Sequence, residues 1–411
     1  MDKNIERTYL IQNIGVFLII SGYFKPFYII SDLGVVLGLG AILFRHFKWG
    51  TPFFELGRAN IPWQEIKVML FFCILVLIAS FFAVRPEISI KAAQVYLKYL
   101  RPFFLLLLLA NNHIAFFQAI WFGMVVGALG LCAAGDKSPL EQFFFLNVGR
   151  PFGSLGHPNS LAAHLLLLIP LIIAGIWDKR FHKGLKFFAI ISLLIVTFTL
   201  IITQSRGALS ALLFAAVVAM FYYGRNRKRV LLAALLLVAT VFTAVSVYTP
   251  QTINKLARIA QYEDTSRYGE SGRIYVWQGS WNMFKDYPIF GVGYGNFNQV
   301  YNEKYMPKEA TEFHLSHAHN VILASLSETG IVGTIGFLTL LVYQLRFVSK
   351  QRFKQTGNIY PDMMFFAIIT MLIHGMVDTM FHVDSYARYY WILWALTCLS
   401  VIYHKKNTSP D

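Results

Sequence analysis

Apolar runs of about twenty residues recur along most of this chain, and they constrain its fold more than any other feature. A helix of that length matches the hydrocarbon core of a bilayer, roughly 30 Å thick. Inside lipid every backbone N–H and C=O must be paired within the structure, so only helices and closed barrels cross. The alternating segments of a barrel are missing, and a helical bundle is expected. Spans are expected at residues 9–23, 27–44, 67–84, 91–110, 114–134, 160–178, 185–203, 207–223, 229–248, 320–345, 362–382 and 386–403. The expected fold is therefore an all-α polytopic membrane protein with about twelve transmembrane helices. It forms one integrated domain, with a bundle over 1–248, a large loop over 249–319 and a closing bundle over 320–411.

Charge sets the orientation. Only 14% of the 411 residues are charged, against about 25% in an ordinary soluble domain. The net charge of +15 sits mostly in short linkers, where basic residues determine topology, so no nucleic-acid partner is inferred. The strong clusters are Arg45/Lys48, Lys179/Arg180/Lys183/Lys186, Arg225/Arg227/Lys228/Arg229, Arg346/Lys350/Arg352/Lys354 and Lys405/Lys406. With Lys3 and Arg7 cytoplasmic, an even span count puts all five clusters inside, with both termini cytoplasmic. The first apolar run reads as a helix rather than a cleaved signal, because further spans follow it. The 249–319 loop then lies outside. Its seven Lys/Arg balance seven Asp/Glu, and its aromatic content points to a folded segment. Cys73, Cys132 and Cys398 all lie in apolar runs, with no disulfide or zinc spacing.

The most specific stretch is His319-Asn320, then nine residues, then Gly330-x-x-Gly333-Thr334-x-Gly336. Glycines three residues apart let a neighbouring helix approach closely, and a rigid helix would hold His319 at its outer mouth. His319 alone reads more readily as an interface histidine beside packing glycines; the combined spacing reverses that preference and favours a site. Other pieces accompany it: Thr203-Gln204-Ser205-Arg206-Gly207, Ser271-Gly272-Arg273-Ile274-x-x-Trp277, Pro288-x-x-Gly291-x-Gly293-x-Gly295-x-Phe297 and Gly156-His157-Pro158-Asn159-Ser160-Leu161-Ala162.

Together these motifs, over roughly residues 150–400, resemble the bacterial O-antigen ligase and O-antigen polymerase superfamily. The resemblance implies a fold like the membrane-embedded, family C type of glycosyltransferase. It also implies transfer of a glycan from undecaprenyl pyrophosphate at the periplasmic face of the inner membrane. The acceptor would be a lipid A–core hydroxyl for a ligase, or a further glycan unit for an O-antigen or exopolysaccharide polymerase; the full pattern tilts toward ligase. The partners implied are that donor, the acceptor and membrane lipids, with no cofactor and no metal. Arg206 and Arg273 match the family's arginines for the pyrophosphate, and His319 matches its proposed general base, with inversion at the sugar carbon. The residues agree. No Asp-x-Asp seats a divalent ion, so cations must come from the chain, and arginine binds phosphate oxygens in a bidentate fork.

Lys91, Lys98 and Arg101 share one side of a helix. Lys98 and Arg101 could give a second cationic contact to the carrier; alternatively the helix starts near Pro102 and these residues belong to an interfacial segment. Asp32 and Asp378 read as structural partners of basic residues, with Arg388 beside Asp378 across the last turn. Asn159 or Ser160 is expected to cap a helix. His314, His317 and His319 do not share a helix face and lack an acidic or cysteine companion, which argues against zinc. A transporter or flippase is the reading from another class, and the missing inverted repeat weighs against it.

Overall fold

The computed structural model describes residues 3–23, 28–133, 152–222, 270–308, 310, 315–354 and 357–408. The expected span at 229–248, the Arg225–Arg229 cluster, most of the 135–159 loop and His314 lie outside the described residues. Thirteen labelled helices carry the argument: α1 (Lys3–Ser21), α2 (Tyr28–Trp49), α3 (Trp63–Phe81), α4 (Pro86–Lys98), α5 (Arg101–Leu108), α6 (Ile114–Ala133), α7 (Pro158–Trp177), α8 (Lys183–Ile202), α9 (Arg206–Tyr222), α10 (Glu270–Asp286), α11 (Val321–Lys354), α12 (Tyr360–Gly375) and α13 (Asp384–Thr408). Six of them (α2, α3, α6, α7, α8 and α11) are long and apolar enough to cross a membrane, and α9 and α12 hold shorter apolar stretches. At 1.5 Å per residue, twenty residues give about 30 Å. The protein is a multi-pass membrane protein by this measure.

The bundle centres on α7, which is the most buried of the six. It packs on α6, α8 and α12. Trp121 of α6 donates its indole N–H to the Leu171 carbonyl at 2.9 Å. A Cβ at Gly175 would come within 2.3 Å of that ring, so only glycine admits the tryptophan. Trp391 and Trp394 of α13 are fully buried in the same core.

Two expected elements differ from what is observed. The span over 91–110 is two helices, α4 and α5, interrupted at Tyr99–Leu100. Pro102 opens α5, where its missing N–H costs nothing, and Lys91, Lys98 and Arg101 are exposed. The interfacial reading of that segment is the one the helix break supports. The span over 320–345 is longer, and it is broken at Gly330, whose φ is +60°.

That break organises the outer segment. Freed of helical pairing, the carbonyls of Ser327 and Glu328 accept the N–H groups of Val292 and Gly293, each at 2.8 Å. The N–H groups of Ile331 and Val332 donate to Pro288 and Ile289 at 2.8 and 3.1 Å. The Pro288–Gly293 strip thus inserts into a notch in α11, with Gly291 at φ +69° against the Glu328 backbone. The rest of the segment has its own small core of Val276, Met283, Phe297, Tyr301 and Ala318. Arg85 clamps it to the start of α4 through Glu303 at 3.0 Å.

Candidate active site

Helix ends converge on the turn after α12. Asn320 caps α11: its Oδ1 accepts the N–H groups of Ile322 and Leu323, both at 3.0 Å. Its Nδ2 donates to the Met376 carbonyl at 3.0 Å. One side chain therefore starts α11 and ties that start to the end of α12. His319, just before the cap, has a φ of +49°. A left-handed conformation costs a non-glycine residue on the order of 1 kcal/mol or more, and it persists only where its surroundings hold it. Here it turns the imidazole toward Asp378.

Asp378 is buried, and its carboxylate takes three donors. His319 Nδ1 lies 2.9 Å and His317 Nε2 lies 3.3 Å from Oδ1. Asn159 Nδ2 donates to Oδ2 at 3.1 Å. Burial alone raises a carboxyl pKa; the bonds from the two imidazoles outweigh it and hold Asp378 well below the usual carboxylate range. An ionised carboxylate only accepts, so His319 must carry its proton on Nδ1. Its Nε2 then presents a lone pair. For His317 the same logic puts the proton on Nε2, and its Nδ1 accepts from the Ser316 hydroxyl at 2.7 Å. Burial lowers the His317 pKa, with His319 adding to the effect and Asp378 opposing it. His382 stacks on His317 with ring centroids 3.9 Å apart.

These shifts give a pH dependence of stability. Asp378 is depressed in the folded state, so its stabilisation is complete above the ordinary carboxylate value near pH 4 and fades only as pH falls through its lower folded value. His317 is depressed below about 6.5, so below that pH the unfolded chain takes a proton that the folded site resists, and stability is lost. We expect the thermal midpoint of the solubilised protein, followed by tryptophan fluorescence, to be flat above pH 7 and to fall from about pH 6.5 downward. His317→Gln should lessen that fall without abolishing it, because burial also pushes the neighbouring His382 down to about 3.

The arginines border the same turn. Arg206 opens α9, and the adjacent Gly207 packs so tightly on Val377 that a Cβ would lie 2.4 Å from its side chain. Gln204, at φ +53°, makes the tight corner from α8. Arg273, half-buried in the first turn of α10, lies within electrostatic range of His374 on α12. The N-termini of α7, α9, α11 and α13 all approach this turn, and their dipoles favour an anion there. Lys98 and Arg101 are not brought to the cluster; they stay exposed, while Tyr99 between them turns inward.

Several expectations are corrected. Gly330 is not one of three packing glycines along a straight face; only Gly336 meets a neighbouring helix, at Phe72 and Leu75 of α3, whereas Gly333 clears the Thr329 side chain. Thr334 pairs with Ser325 at 3.0 Å across the break. Asp378 does not pair with Arg388, which binds Asp384. His157, not Asn159 or Ser160, caps α7 by accepting the Asn159 N–H at 3.1 Å. An acidic companion for the histidines does exist: ligand atoms of His317, His319 and Asp378 lie within 4.8 Å of one another. Both Asp378 oxygens lie within hydrogen-bond distance of side-chain nitrogens, of the two histidines at Oδ1 and of Asn159 at Oδ2.

A cavity of about 350 Å³ adjoins the cluster at His317 and His382. It runs between α3, α4 and α11 toward Phe72 and Phe337.

None of the curated proteins compared with the chain matches it. Residues 191–338 match the family model described as O-antigen ligase. The matched stretch holds Arg206, Arg273, His319, Asn320, Gly330, Gly333, Thr334 and Gly336, whereas Asn159 and Asp378 lie outside it. Over those residues the chain is similar to the O-antigen ligase family, a match that supports a place in the O-antigen ligase and polymerase superfamily.

Proposed function

We propose that this protein is an O-antigen ligase. It moves a glycan from undecaprenyl pyrophosphate to a lipid A–core hydroxyl at the periplasmic face of the inner membrane, without a metal ion. The observation that carries the mechanism is the His319–Asp378 bond of 2.9 Å, which fixes the tautomer that leaves Nε2 basic. Nε2 takes the proton of the acceptor hydroxyl as its oxygen attacks the anomeric carbon. The bond to the pyrophosphate oxygen breaks on the opposite face, which inverts the centre. Asp378 stabilises the imidazolium that forms and remains ionised.

The departing pyrophosphate carries the developing charge. Arg206, Arg273 and the surrounding helix N-termini offset it. Charge-assisted hydrogen bonds contribute about 1.5–3 kcal/mol each. Arg206→Ala and Arg273→Ala should therefore each lower kcat/KM for the donor by roughly one to two orders of magnitude. Lysine at either position should recover only part, because it keeps the charge and loses the fork. Lys98 and Arg101, exposed on the α4–α5 segment, are proposed as outer contacts for the carrier's phosphates, with smaller effects.

The test is product identity. Purified protein is given carrier-linked glycan and lipid A–core in EDTA. Glycan on lipid A–core supports the reading. Chain extension on the carrier alone would replace ligase by polymerase, and dependence on added divalent ions would contradict the metal-free mechanism.

A further inference from the structure

The cavity beside the histidines has a wall that a lipid chain does not explain. Glu328, on the α11 turn that precedes the break, is buried and lines the cavity. Its carboxyl accepts the Gly295 N–H, and among the described residues no lysine or arginine pairs with it. Tyr96, Tyr99 and Tyr294 line the same space. Their rings form a chain, with Tyr96 centroids 6.0 Å from Tyr99 and 5.8 Å from Tyr294. No hydrogen bond among the described residues occupies their three hydroxyls. The volume is within the range of small-molecule sites, about 300–1,000 Å³.

A polyprenyl chain offers neither donor nor acceptor, so it would leave this carboxyl and these hydroxyls unmatched. A pyranose matches all of them. Its hydroxyls bond to the carboxyl and the phenols, and its C–H face lies against the aromatic rings. The cavity also reaches His317, which shares Asp378 with His319. A sugar seated there would put its free hydroxyls at the edge of the reacting centre.

We propose that this cavity is the saccharide subsite for the acceptor, and that Glu328 is the specificity-determining residue that binds acceptor hydroxyl groups. This rests on the glycan-transfer reading above.

The experiment uses full-length solubilised protein in a His319→Ala background, where turnover does not interfere. The probes are lipid-free oligosaccharides released by mild acid from the host's own envelope glycolipids, and farnesyl pyrophosphate as a donor mimic. Saturation-transfer NMR reads binding of each. Saturation of pyranose ring protons is expected with His319→Ala alone. Adding Glu328→Gln, or Ala324→Leu to fill the cavity, should cut it by about fivefold or more, since a site built for hydroxyls discriminates strongly. Farnesyl pyrophosphate binding should stay unchanged, and thermal midpoints confirm that each variant folds. Sugar saturation that survives both changes, absence of any in the His319→Ala protein, or loss of farnesyl pyrophosphate instead would overturn the proposal. Transfer by the wild-type protein is measured separately. Sugar binding without transfer would leave the subsite standing and remove the transferase reading.

Discussion

Gly330→Ala is expected to leave little folded protein in the membrane. Its φ of +60° disfavours any side chain, and a Cβ would sit 2.3 Å from the Ile289 carbonyl oxygen and 2.6 Å from the Gly291 nitrogen. These are backbone atoms, so they cannot rotate away. Relief requires the Pro288–Gly293 strip to leave the notch, which gives up the four backbone bonds that hold it. Strain at such a position costs on the order of 1–3 kcal/mol, and each lost backbone bond adds about 1 kcal/mol. Against a typical stability of 5–15 kcal/mol, the sum removes a large share. Gly291→Ala, which meets the Glu328 carbonyl from the other side at 2.6 Å, should behave the same way. Gly336→Ala is the control: its Cβ would lie 3.3 Å from Phe72 and Leu75 side chains, which can shift. Yield of monodisperse protein and its thermal midpoint read all three.

The second large effect is chemical. His319→Ala removes the base without disturbing the cap, since Asn320 starts α11 with its own side chain. General base catalysis is typically worth about 10²–10⁴-fold, and the transfer rate should fall by that factor, with the midpoint lowered by the loss of one donor to the buried Asp378 carboxylate. Asp378→Asn should cost about as much, on the order of the 10⁴-fold lost when the carboxylate that orients a catalytic histidine becomes an amide. Asparagine can present an N–H to the ring and so favour the tautomer with its proton on Nε2, which is the wrong one for a base.

The contrast between these two sites shows what a sequence exposes. Long apolar runs announced the helical class because bilayer thickness sets their length. His319, Arg206 and Arg273 stand out as candidates through short local motifs. Asp378 does not. It lies 59 residues from His319, in a turn where an acidic residue beside Arg388 reads most simply as an ion pair. Only the fold reveals that Arg388 is taken by Asp384 and that the carboxylate faces the histidines. Asn159 was read as a cap for the same reason, because its tie to Asp378 spans the bundle. Gly330, Gly333 and Gly336 misled by their regular spacing. Period three suits helix packing, and nothing near Gly330 signals that Pro288–Gly293 inserts there. The break at Tyr99–Leu100 did have a local signal, in Pro102 and the exposed Lys91, Lys98 and Arg101.

The most direct test of the central claim is a reconstituted single-turnover transfer assay, run with wild-type protein and with folded, membrane-inserted His319→Ala at equal concentration. Loss of about two to four orders of magnitude in rate, with donor binding retained, is the predicted result. Transfer by His319→Ala at the wild-type rate would contradict the assignment of His319 as the base and, with it, the role given to Asp378.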